Sequence, residues 1–128
     1  MNLGFVLFVI KNMVLFKNEK GNIFGGYASI SWKNKGKYQS APDSFIFTLT
    51  NIHNIEPIKF PSKNDKNEVY HSINKGPLFG GGRDLGIDKD FSQHQSCTDF
   101  PFSYKDISGK GKSIFTGDFN NNNKNIRL

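Results

Sequence analysis

Cysteine is nearly absent. Cys97 is the one thiol in 128 residues, so no disulfide can form within the chain, and a reducing compartment is the simpler inference. Long hydrophobic runs are missing too. The apolar stretch Leu3 to Ile10 is far shorter than the roughly 20 residues a membrane-spanning helix needs. It has no basic segment ahead of it and no small-residue cleavage site before Lys11, so it reads as a buried strand and not as a leader. These absences predict a cytoplasmic protein with no membrane insertion.

No segment keeps a 3.6-residue period, which argues against a helical bundle. Acidic residues are outnumbered, 11 against 17 Lys and Arg, for a net charge of +6. That surplus allows an acidic partner. The lysines are scattered, however, and gather only at Lys33-Asn34-Lys35-Gly36-Lys37, which reads as a solvated turn. Without a basic stripe interleaved with stacking rings, nucleic-acid binding is not expected. Repeats and linkers are also lacking, so residues 1–128 are expected to form a single domain around one core.

What the chain does have is large rings beside bare backbone: 13 Phe and 13 Gly. Two clusters stand out, Phe24-Gly25-Gly26-Tyr27 with Trp32 close behind, and Gly76-Pro77-Leu78-Phe79-Gly80-Gly81-Gly82. Glycine weakens a strand that has no need of it, so repeated glycines in β-like sequence point to close backbone approach. Short aromatic and β-branched runs predict strands at Phe5 to Ile10, Met13 to Lys17, Ile23 to Trp32, Ser44 to Thr50, Glu56 to Phe60 and Glu68 to Ser72. In Ser44 to Thr50, Phe45, Phe47 and Leu49 share one face and Ser44, Ile46, Thr48 and Thr50 the other. Asp84 to Asp88 puts Leu85 and Ile87 on one face. Lys89 to Gly111 reads as a polar surface excursion, and Ser113 to Phe119 as a late strand. The pattern predicts an antiparallel β-sandwich, mostly β, with helix confined to short turns.

Candidate chemistry is sparse. His94 and Cys97 have ligand-like spacing without two further ligands nearby. A nucleophilic Cys97 needs an activated thiolate and an orienting group. Asp84, Asp88 and Asp90 lack the order of a calcium loop. Gly80-Gly81-Gly82-Arg83 lacks the Gly-Lys-Ser/Thr end of a phosphate loop, so crowding under Phe79 and Trp32 is the favoured reason for those glycines. Arg83 and Asp84 read as a surface ion pair. No cofactor and no metal site is expected.

Asn22-Ile23-Phe24-Gly25-Gly26-Tyr27, Ser31-Trp32, Asp43-Ser44-Phe45-Ile46-Phe47-Thr48-Leu49, Gly76 to Gly82, Asp84-Leu85-Gly86-Ile87, Ser96-Cys97 with Phe100, and Phe115 together resemble the TLDc domain. The resemblance covers about Met13 to Leu128. It departs at Met1 to Asn12, where the family has a helical opening segment whose lack would leave apolar surface uncovered. What the resemblance implies is a sandwich of two antiparallel sheets with short flanking helices. It also implies a non-catalytic protein-interaction module that acts in oxidative-stress protection, in regulating the vacuolar proton-pumping ATPase by binding its subunits, or in both. The candidate interaction surface is Tyr27, Trp32, Lys33 and Arg83. Two other readings stay open: a carbohydrate- or ligand-binding sandwich using Tyr27, Trp32 and Tyr38, and a peroxide scavenger working through Cys97.

Overall fold

The computed structural model describes residues 6–10, 12–32, 36–72, 75–86 and 99–117. Among the described residues, nine strands and one helical turn follow in the order β1 (Val6–Ile10), β2 (Met13–Lys17), β3 (Ile23–Tyr27), β4 (Tyr38–Gln39), β5 (Phe45–Thr50), β6 (Ile58–Pro61), β7 (Val69–Ser72), β8 (Lys75–Phe79), β9 (Leu85–Gly86) and α1 (Ser113–Thr116). They form a five-stranded sheet, β1-β2-β3-β5-β6, and a four-stranded sheet, β4-β7-β8-β9. All pairings are antiparallel. The mostly-β, two-sheet sandwich expected from the sequence is therefore the observed fold, and among the described residues its helix content is α1.

The hairpin of β2 and β3 is built by its polar loop. Asn18 accepts from the amides of Lys20 and Asn22 through Oδ1 at 3.0 and 3.1 Å, and Gly21 takes the left-handed turn at φ 86°. Alternation then decides the faces. Val14, Phe16, Phe24, Ile46 and Phe60 of the larger sheet meet Val69, Phe79 and Leu85 of the smaller one in a single buried cluster. Rings fill one end of it: Phe115 lies 5.6 Å from both Phe24 and Phe60 and 5.0 Å from Phe100, centroid to centroid. Such tilted and edge-on pairs add to the area they bury.

Two glycine positions mark close approaches, one within the larger sheet and one between the two sheets. A side chain at Gly25 would collide with the carbonyl oxygen of Val14 in the neighbouring strand. One at Gly26 would sit between 2.5 and 2.7 Å from three ring carbons of Phe79 in the opposite sheet.

Three expectations need correction. Ile23 to Trp32 is not one strand: β3 ends at Tyr27, where the amide of Ala28 donates to Asn12 and that of Ser29 to the Ser44 hydroxyl. Ser113 to Thr116 is a helical turn and not part of a strand, closed by Gly117 at φ 74° and tied to the hairpin by Asn18. The excursion after Lys89 is not all surface, since Phe100, Ser103 and Tyr104 are buried. Among the described residues no helix is long and apolar enough to cross a membrane.

Candidate functional site

The second glycine cluster ends in a turn that organises a buried polar frame. Gly80 and Arg83 both take positive φ, 97° and 58°. The amide of Arg83 donates to the carbonyl of Gly80 at 3.0 Å, and the amide of Gly80 to that of Glu68 at 2.8 Å. This tight turn swings Asp84 inward, where it is fully buried. Its carboxylate accepts from the backbone amides of Phe102 at 2.6 Å, Ser103 at 2.9 Å and Tyr104 at 3.1 Å. Burial pushes the Asp84 carboxyl up to about 6 although these amides pull it down, so at neutral pH it is the anion the three donors require.

A second buried carboxylate completes the frame. Glu68 accepts from the amide of Ala41 at 2.6 Å and the Ser62 hydroxyl at 2.7 Å. Tyr104 donates its hydroxyl to the Glu68 carbonyl at 2.8 Å. Burial pushes that hydroxyl's pKa up, with Asp84 and Glu68 adding to the effect, so it stays a donor. Ser103 receives the amide of Gly81 at 2.8 Å and donates to Asp65. The amides of Lys63 and Lys105 reach the carbonyls of Ser103 and Pro61, both at 2.8 Å, closing the segment against β6.

The frame fixes one ring in the open. Phe102 lies against Gly82 so closely that a Cβ there would collide with its ring, yet the side chain is 57% exposed. Arg83 stands in the same turn, partly exposed, with its carbonyl accepting from the Asp99 amide at 2.9 Å. The ring over Gly82 is thus Phe102, whereas Phe79 crowds Gly26 and packs edge-on against Trp32 at 5.3 Å. Asp84 is likewise not at the surface: it is fully buried, and its oxygens accept from the amides of residues 102–104. The sequence offered a cue to this frame in the Gly-Arg-Asp order, but nothing in it linked Asp84 to Phe102.

The remaining candidates are dispersed. Tyr27 stacks on Phe45 at 5.3 Å on the five-stranded sheet, while Tyr38 meets Tyr70 in the other sheet at 4.8 Å. Trp32 packs against the core, and its Nε1 and the nearby His71 Nδ1 are buried with no hydrogen-bond partner among the described residues. Tyr27, Trp32 and Tyr38 therefore do not share one concave face. Lys33, His94 and Cys97 lie outside the described residues.

One serine–histidine pair escaped the sequence reading: His53 Nε2 is 2.9 Å from the Ser113 hydroxyl. That hydroxyl donates to the carbonyl of Lys110 at 2.8 Å, so the imidazole Nε2 meets it as the donor and the arrangement is not that of a nucleophile and its base. Burial, and then Lys110, push the His53 pKa down. Among the described residues no group of three or more His, Cys, Asp or Glu side chains is placed to hold a metal ion.

The family model described as the TLDc domain matches residues 6–122. No curated protein matches the chain, and no solved structure does.

Proposed function

Because the chain belongs to the TLDc domain family, we propose that it is a non-catalytic protein-interaction module of the cytoplasm, acting in oxidative-stress protection. Its partner is the vacuolar proton-pumping ATPase, contacted through the turn that carries Arg83 and Phe102. The observation behind this reading is an aromatic ring presented over the bare backbone of Gly82, next in the chain to Arg83, with the supporting segment held by the buried Asp84 carboxylate. Aromatic and arginine side chains dominate binding energy at interfaces. A loop ordered before binding also loses less entropy when it docks.

The test is a capture from reducing cytosolic extract, followed by titration of the purified cytosolic sector of the pump. Wild-type protein is expected to enrich pump subunits. A Phe102→Ala, Arg83→Ala variant with unchanged thermal stability is expected to bind about 30-fold more weakly, the effect of losing roughly 2 kcal/mol at a hot spot. Equal capture by both proteins would refute the assigned surface, and capture by neither would refute the partner.

A further inference from the structure

On the outer face of the five-stranded sheet an apolar groove of about 520 Å³ faces away from the core. Alternation in β5 turns Ile46 and Thr48 inward, leaving Phe45, Phe47 and Leu49 outward. An antiparallel strand with one solvated face ordinarily puts polar residues there. Here Met13 and Leu15 of β2, Phe45, Phe47 and Leu49 of β5, and Pro57 and Ile58 line the groove. Met13 and Leu49 are 40% and 44% exposed. The Phe47 ring forms part of its floor, lying over Gly25, where a Cβ would come within 2.8 Å of it. A contiguous apolar patch of this kind marks an interaction site.

Its charge is of one sign. Lys59 is the charged residue of the lining, its ammonium 4.6 Å above the Phe45 ring. Lys17 lies exposed on the same face of β2, two pleats beyond Met13. Glu56 is exposed and outside the lining.

We infer that this groove is a docking site for an amphipathic helix of a partner protein, apolar along one stripe and carrying Asp or Glu beside it. A helix is the element that covers an open sheet face. Its diameter of about 10 Å spans roughly two strand spacings of about 4.8 Å, the width from β2 to β5. Residues at i, i+3, i+4 and i+7 supply the apolar stripe, and flanking carboxylates meet Lys59 and Lys17. A second copy of the chain is the poorer occupant, since it would bring Lys59 against Lys59 between two molecules of net charge +6. This site lies apart from Arg83 and Phe102 and stands or falls independently of them.

The test uses two labelled helical model peptides of about 16 residues, long enough for roughly four turns. They share a leucine stripe and differ in carrying Glu or Lys on its flanks. By fluorescence anisotropy the Glu peptide is expected to bind saturably and the Lys peptide at least about tenfold more weakly. Leu49→Glu is expected to abolish binding, and Lys59→Glu, an exposed substitution that spares the fold, to invert the preference. Equal binding of both peptides, binding of neither, or retained affinity in Leu49→Glu would overturn the inference. So would a wild-type dimer in sedimentation that Leu49→Glu dissociates, which would make the occupant a second copy.

Discussion

Gly26→Ala is expected to cost about 3 kcal/mol of folding stability, the upper end of what overpacking a core does. The glycine has no unusual φ to explain it, so the effect is steric alone. Its new methyl would lie between 2.5 and 2.7 Å from the Phe79 ring. That ring is fully buried, wedged against Trp32 on one side and Tyr104 on another, and has no room to withdraw. Relief requires the two sheets to part. Gly21→Ala is the control: its φ is 86° but no atom lies within 4 Å of the added carbon, so only backbone strain of about 1 kcal/mol is at stake. Urea denaturation of both variants separates the causes. A Gly26→Ala protein as stable as Gly21→Ala would show that the sheets do not pack on that ring.

Asp84→Ala is expected to destabilise by about 3 kcal/mol at neutral pH. It orphans the buried amides of Phe102, Ser103 and Tyr104, each at about 1–3 kcal/mol, and relief of a desolvated charge returns part of the loss. The same substitution changes the pH dependence. Burial raises the Asp84 pKa from 3.8 to about 6, so between those values the folded protein holds more of this proton than the unfolded chain. The contribution of Asp84 to stability therefore declines as pH rises through that window and is fully restored below it. Wild-type stability relative to Asp84→Ala is expected to fall by about 2–3 kcal/mol between pH 4 and pH 7, roughly 1.4 kcal/mol for each pKa step. Chemical denaturation of both proteins across that range measures it, and parallel profiles would mean that the carboxyl is not desolvated.

The sandwich is legible in the sequence because local pattern and tertiary role agree in β2, β3 and β5. The polar loop Asn18 to Asn22 makes its own turn, and Ser44 to Thr50 alternates as a strand must. That glycines lie under rings is legible too, but pairing Gly26 with Phe79 and Gly82 with Phe102 needs the register of two sheets. Residues 99–117 were illegible for a different reason. Ser103 and Tyr104 look polar until a carboxylate nineteen and twenty positions earlier gathers their amides, and Asp84 looks solvated until that happens. Ser113–Thr116 is too short to show a helical period, and its Ile114 and Phe115 read as strand because packing placed them, not propensity. The outward Phe45, Phe47 and Leu49 mislead in the opposite sense. Their face looks like core in the sequence, whereas the inner face is completed by Ile46 and Thr48.

Hydrogen exchange at the amides of Phe102, Ser103 and Tyr104 tests most directly whether the Arg83–Phe102 turn is a rigid display surface held by Asp84. Protection of all three is predicted to approach that of β3 in the wild-type protein and to drop at least about a hundredfold in Asp84→Ala, while β3 retains more of its own. Rapid exchange at these amides in the wild type would contradict the account, because the ring would then be carried by a loose loop with nothing holding it in place for a partner.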